Sequence, residues 1–417
     1  MRMRKPVALL LALLLAASCV MAAKSLLATS GPENTWISKA PLPSSMDTAV
    51  EAAAVNGKIY AMSLSYNYEY DPTTDKWTEK ASMPTPRANS AITVYQNKIY
   101  VIGAYGYSCA NEVYDPATDT WETKTPVPTN RTFLSACVVD GKIHLFSHEG
   151  HDIYDVASDS WTAGTEKPYQ VLWPKSTVID DKIYVISKNL TEIYDPKNDT
   201  WSLGTTPPVA VSNAAVCATT GLMAPKRIYV CGGEVSFTIA TDATQVYNPE
   251  NDTWTLGAPM PTASIGLEAV VVDDFIFAIG GSHGWLINDY ANEQYTPFGY
   301  GTVPPVIDVV SPRSHMYNES SVSLVFTVNK PVSWTGYSLD GQDNVTISDN
   351  TTLTGLHNGL NSLTVYANDT LGNMGASTTL IFNVEVPFPT AFVVAASTAS
   401  LGIIAVALLV YHKKRKH

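Results

Sequence analysis

One octapeptide pattern limits what this chain can fold into. Tyr70-Asp71-Pro72-Thr73-Thr74-Asp75-Lys76-Trp77 recurs at residues 114–121, 154–161, 194–201 and 247–254. With Trp36 included, the tryptophans that end these motifs stand 41, 44, 40, 40 and 53 residues apart. A unit this short cannot bury both of its faces, so neighbouring units must stack to make a core.

Each unit reads as four short strands separated by turn signals. In the second unit the strands fall at 90–95, 98–103, 111–114 and 120–124, with turns at Gln96-Asn97 and Asp115-Pro116-Ala117-Thr118. The aspartate accepts backbone N–H bonds, and proline presets φ for a β-turn. Pro126 and Pro128 end the outer strand, because proline cannot donate into a ladder. The second strand is the steadiest signal: it begins at Lys58, Lys98, Lys142, Lys182, Arg227 and Phe275. Six inner sets exist, but only five are followed by their own tryptophan strand. Sequence order therefore predicts that residues 34–43, with Trp36, supply the missing outer strand of the last unit and close the ring.

These residues resemble the Kelch family over about 34–298. The features that carry the resemblance are the Tyr-Asp-Pro turn, the outer-strand tryptophan, the Pro-x-Pro exits and the pairs Gly232-Gly233 and Gly280-Gly281. The family's double glycine is absent at Ser63-Leu64, Gly103-Ala104, Ser147-His148 and Ser187-Lys188. The resemblance implies an all-β fold: a six-bladed Kelch-type β-propeller closed by its N-terminal strand.

The two ends predict topology. Residues 1–5 are basic, 7–20 are almost wholly apolar, and Ala22-Ala23 offers a small-residue cleavage zone, so 1–23 reads as a secretory signal peptide. Residues 390–411 carry no charge and are long enough for one transmembrane helix, and the basic residues 412–417 place the C-terminus on the cytoplasmic side. The expected location is the cell membrane, with the ectodomain outside.

Beyond Tyr300 the pattern changes. Residues 303–386 alternate in strand fashion at 322–328, 332–339, 363–367 and 378–386, with turn signals Asp340-Gly341, Asn358-Gly359 and Gly372-Asn373. This segment resembles an immunoglobulin-like or fibronectin-like β-sandwich, serving as a stalk. Eight Asn-x-Ser/Thr sequons, at Asn130, Asn189, Asn198, Asn251, Asn318, Asn344, Asn350 and Asn368, are glycosylation candidates. Cys137, Cys217 and Cys231 read as small buried hydrophobes, and a Cys217–Cys231 bridge is compatible with an extracellular setting.

The net charge of −12 excludes a broad phosphate-binding surface, so no nucleic-acid partner is expected. No cofactor motif, metal-ligand set, phosphate-cradling loop or serine-nucleophile motif is present. His148-Glu149-Gly150-His151 is the one tight histidine cluster, and it falls on a predicted exposed loop.

Strands alternate in direction, so the loops joining strands 2–3 and strands 4–1 share one face, where Kelch-type propellers usually bind partners. In five of the six units, the residue seven before the Lys58-type position stands on the channel side, as Glu51, Ala91, Ser135, Lys175 and Glu268, while an insertion blurs the register of the fifth unit; Glu51, Lys175 and Glu268 depart from the small residues expected there. Eleven before it stand Asp47, Arg87, Arg131, Val171 and Ser264. Arg87 and Arg131 match a position where the family often presents arginine to an acidic partner. The 2–3 loops add Tyr66, Tyr105, Tyr107, His148, His151, His283 and Trp285, an aromatic set suited to a carbohydrate or peptide. The expectation is a non-enzymatic surface binding or adhesion protein for an extracellular protein or glycan ligand. The alternatives are a carbohydrate-active enzyme of the mutarotase kind, using Glu51 and Glu268, and a surface-layer scaffold. Convergence of Glu51, Glu268, Arg87 and Arg131 on one pocket would favour chemistry; their dispersal would favour recognition.

Overall fold

The computed structural model describes residues 32–44, 46, 50–104, 109–148, 150–284 and 288–386. The segments 1–23, 390–411 and 412–417 lie outside the described residues, as do Asp47, Tyr105, Tyr107 and Trp285. Among the described residues no helix is long and apolar enough to cross a membrane. The chain divides into two compact units, 1–303 and 304–417.

In the first unit, six four-stranded antiparallel sheets follow one another as blades. Blades 1 to 5 take their innermost strands from Glu51–Val55, Ala91–Tyr95, Ser135–Val139, Lys175–Ile179 and Ala215–Ala218. Blade 6 contains Glu268–Val272, Phe275–Ile279 and Asn292–Thr296, and its outer strand is Thr35–Ser38 from the N-terminal end. Trp36 lies opposite Tyr295 in that pairing, so the ring closes as sequence order predicts.

Local chemistry sets the register. Five blades join strands 1 and 2 through two-residue turns whose residues both have positive φ: Asn56-Gly57, Gln96-Asn97, Asp140-Gly141, Asp180-Asp181 and Asp273-Asp274. This mirror-image turn matches the twist of the flanking strands and favours Asn, Asp and Gly. Blade 5 has a longer connection instead. The buried Asp274 carboxylate of blade 6 ties it down, accepting from Thr220, Leu222, Met223 and Ala224 backbone N–H groups. Gly232-Gly233 and Gly280-Gly281 all take positive φ, as their double-glycine sequence requires. Blades 1 and 4 lack the pair and turn differently: strand 2 runs on to Ser63 and Ser187, and Leu64 and Lys188 take the positive φ.

The hydrophobic core is divided into wedges, one between each pair of neighbouring blades. The repeat tyrosines Tyr70, Tyr114, Tyr154, Tyr194, Tyr247 and Tyr295 are all buried in these wedges. Polar clasps join the blades further out. The indole N–H of Trp77, Trp121, Trp161, Trp201 and Trp254 donates to the carbonyl of Ala40, Ala81, Thr125, Thr165 and Thr205 in the preceding blade, at 2.8–3.2 Å. Asp75, Asp119, Asp159 and Asp252 accept the backbone N–H of Ala40, Ala81, Thr125 and Thr205, while Asp199 accepts the Thr165 hydroxyl. Each aspartate also accepts the hydroxyl of its own motif tyrosine. All five have φ between 48° and 55°, a conformation Asp tolerates better than most residues.

Among the described residues the four cysteines, Cys109, Cys137, Cys217 and Cys231, are free thiols, and the last three are buried. The Cys217–Cys231 bridge that the sequence left open is not formed. Cys217 faces Tyr229 and Cys231 faces Ala215, so the two are diagonal neighbours, about 7–8 Å apart in such a ladder and too far for a disulfide.

The described part of the second unit consists of two sheets. Ile307–Ser311, Ser321–Val328 and Thr351–Thr354 form one. The other is built around Gly359–Asp369, flanked by Val332–Leu339 and Leu380–Val384. Val309, Leu324 and Leu353 from the first sheet share a core with Val365, Ala367 and Phe382 from the second.

Candidate functional site

Glu51, Ala91, Ser135, Lys175, Ala215 and Glu268 each begin an innermost strand, so the topology places them at one level of the central channel. The channel cavity measures about 410 Å³. Above it, a mouth cavity of about 400 Å³ is lined by the 4–1 loop residues Asn89, Phe133, Trp173, Asn213 and Gly266 and by the 2–3 loop residues Glu234, Ser282 and Gly284. Glu51 and Lys175 line both cavities.

Glu268 and Lys175 form an ion pair although blade 5 separates their blades, so the pair reaches across the lumen. Glu51 is 7% exposed. Burial, reinforced by the nearby Glu268 charge, pushes its carboxyl up to about 8; Lys175 and the Ser90 N–H pull the other way. Burial disfavours the Lys175 charge, but Glu268 and Glu51 outweigh it and hold the ammonium above its ordinary value.

Phe133 and Trp173 form a tilted ring pair with centroids 4.5 Å apart. Their φ values are +56° and +49°, where Asn89, Asn213 and Gly266 occupy the same loop position in other blades. A bulky aromatic at positive φ is strained, and such strain concentrates at functional sites. Sequence reasoning missed this pair. The available signal was an aromatic two residues before the inner strand, where blades 2, 5 and 6 carry Asn or Gly.

The arginines are a correction. Arg87 is 5% exposed, paired with Glu112 and donating to the Thr85 and Val101 carbonyls. Arg131 grips Asp152 through both Nε (2.9 Å) and a terminal nitrogen (3.4 Å). Neither lines the two cavities. Glu112 and Asp152 occupy equivalent third-strand positions, as do Glu192 and Gln245, which hold the incoming loops through Tyr169 and Val209 N–H. The arginine forks are therefore used to anchor loops within the chain.

His151 is also corrected. It is a strand residue, 2% exposed, wedged against Phe146, Tyr194 and Trp201. Its Nδ1–H donates to the Thr165 carbonyl at 3.0 Å, the bond that Asn67, Asn111 and Asn292 make at the same position in other blades. Since Nδ1 is the donor, Nε2 accepts from His144 Nδ1–H at 2.9 Å. Burial lowers both imidazoles, His144 to about 3. His148 is half-buried, and no cluster of metal-ligating side chains occurs among the described residues. Tyr66 is half-buried at the start of a third strand, stacked on Tyr68, and His283 is exposed on the mouth face, 3.9 Å from Asp289.

Residues 24–205 match the family described as FKB95, Kelch-repeats domain, and residues 224–261 match the Kelch motif. The first unit is a Kelch-repeat β-propeller. Mouse Kelch-like protein 35 is 39% identical over 72 residues, covering 17% of this chain and 12% of that protein. The Kelch-like protein terF of Aspergillus terreus is 35% identical over 88 residues, 18% of this chain and 19% of its own length. The structure of YjhT overlays with a TM-score of 0.51 at 13% identity, covering 60% of this chain and 94% of that one, which is a likeness of fold. Kelch repeats point to a propeller used for interaction, and here Glu51, Lys175, Glu234, Glu268, Phe133 and Trp173 line the mouth and channel.

Proposed function

We propose that this protein is a membrane-anchored surface receptor or adhesin whose Kelch propeller binds an extracellular protein or glycan at its mouth, with the second unit serving as an immunoglobulin-like stalk. One observation carries the reading: two aromatic residues held at positive φ, Phe133 and Trp173, wall a cavity of about 400 Å³ beside Glu51 and Lys175. A concave site with an aromatic wall and a few placed charges suits ligand capture. The apolar run 390–411 and the basic residues after it support the anchor.

The test is a glycan and peptide array probed with the full chain in mild detergent, in parallel with a Phe133→Ala/Trp173→Ala variant. Binding that the variant loses supports the mouth as the recognition site. Binding that the variant retains, or none by the parent chain, removes it.

A second reading, a carbohydrate-active enzyme, is favoured by Glu51 and Glu268 sharing one channel with Glu51 protonated near neutrality. The dispersal of Arg87 and Arg131 away from that channel weighs against it. Exchange spectroscopy of reducing sugars with and without the protein separates the two readings, because only an enzyme would speed anomer interconversion.

A further inference from the structure

We infer that the mouth cavity is a receptor for an alkylammonium group, a cation that pairs with Glu51 and lies against the rings of Phe133 and Trp173. The inference rests on the mouth being the binding site and goes on to name the chemistry of what binds.

The charge count comes first. Glu51, Glu234 and Glu268 line the mouth and channel cavities, and Lys175 is the one cation among the described lining residues. Lys175 is already committed to Glu268 across the lumen. The Glu234 carboxylate, at the rim, accepts the Thr238 N–H. Glu51 remains, more than nine-tenths buried, facing both cavities with no described cation within ion-pair distance. A buried carboxylate of this kind is costly unless paired, and an arriving ammonium supplies the pair.

The walls specify the cation further. Aromatic faces attract cations through their quadrupole and pack against alkyl chains. An anionic ligand, by contrast, would have to break the Lys175–Glu268 pair. The arginines at the loop positions that would recognise acidic partners are spent on Glu112 and Asp152. Glu51 is faced by Glu268, Lys175 and the Ser90 N–H. Near neutrality Glu51 retains a proton, which the cation displaces, so affinity should rise with pH up to about 8.

The experiment is a saturation-transfer NMR titration of the full chain in mild detergent. The probes are n-butylammonium, tetramethylammonium, n-butanol and butyrate. Both cations should bind, with butanol and butyrate at least about tenfold weaker. Tetramethylammonium does not titrate, so its affinity should climb by up to about tenfold per pH unit below pH 8 and level off above it. Glu51→Gln should cost about tenfold and Trp173→Leu several-fold, with thermal unfolding confirming that both variants fold. If Glu51→Gln fails to fold, the pH profile and Trp173→Leu carry the test. An acetylated, amidated Gly-Lys-Gly peptide that binds more tightly than butylammonium assigns the amine to a protein side chain; equal affinity assigns it to a small free amine. Butyrate binding that depends on Trp173 would overturn the cation assignment while keeping the mouth as the site. No binding by any probe, or binding indifferent to both variants, would overturn both.

Discussion

Trp36 donates its indole N–H to the Ala258 carbonyl at 3.0 Å, across 222 residues of sequence. Asn34 completes the same clasp, its Oδ1 accepting both the Ala258 N–H and the Tyr295 hydroxyl. Every other blade junction uses aspartate there, and Asn34 shares its backbone geometry at φ +56°. The N-terminal strand therefore closes the ring with the bonds that hold each consecutive pair.

Removing that closure should be expensive. Asn34→Ala orphans two donors and puts alanine at positive φ, a combined cost of about 2–4 kcal/mol. Asn34→Asp keeps both acceptors and should lie within about 1 kcal/mol of the parent. Urea unfolding of the two variants measures the difference, and equal midpoints would contradict the clasp.

The clasp aspartates predict acid sensitivity. Tyr114 and Ala81 N–H hold Asp119 below the usual carboxylate range, and Asp159 and Asp199 are lowered in the same way by their tyrosines. For Asp75 and Asp252 burial opposes the shift, but the accepted hydrogen bonds outweigh it. A depressed carboxylate contributes stability above its unfolded value and loses it as pH falls through the folded value. The urea midpoint should therefore drop steeply below about pH 4, and Asp119→Asn should flatten that drop.

Glu51 has the opposite sign. Its folded value of about 8 lies above the ordinary 4.5, so the fold binds the extra proton and loses stability as pH climbs between the two. Glu51→Gln should unfold later than the parent at pH 9, by on the order of a few kcal/mol, and match it at pH 4. Thermal scans at the two pH values check this.

The His144–His151 pair is buried neutral. The unfolded chain protonates below about pH 6.5 while the fold resists, so stability falls as pH drops from 6.5 towards about 3. His151→Asn keeps a donor for Thr165 but empties space beside Phe146 and Tyr194. It should cost about 1–3 kcal/mol at pH 7 and reduce the loss between pH 6.5 and 4.5. An unchanged pH slope would sink the assignment.

The sequons differ in access. Asn130, Asn189, Asn318 and Asn344 are exposed, whereas Asn368 is a half-buried strand residue opposite Trp334 with its Oδ1 buried. In a glycosylating host, peptide mass spectrometry should find sugar at the exposed positions and none at Asn368.

The sequence by itself determined the repeat, the six blades, the strands of blade 2 to within a residue and the N-terminal closure, although the closing strand is Thr35–Ser38 rather than the whole of 34–43 and Gly359–Asp369 outruns the expected 363–367. These follow from local chemistry: a Tyr-Asp-Pro turn, a tryptophan and a Gly or Asn at positive φ specify the same unit wherever they occur. It also placed Glu51, Lys175 and Glu268 on the channel, because a fixed offset from a repeated strand is a fixed height in the ring. Only the tertiary structure decided what those side chains meet. The fork of Arg87 is committed to Glu112, 25 residues later, because the loop entering blade 2 folds onto that blade's third strand, and Lys175 reaches Glu268, 93 residues away, because ring closure sets blades 4 and 6 across one lumen. His151 reads as a loop residue until the third strand of blade 3 starts at it, and the strain at Phe133 and Trp173 exists only in the folded backbone. Local sequence fixes which turn or strand a residue joins, whereas partners and burial are set by packing between segments far apart in the chain.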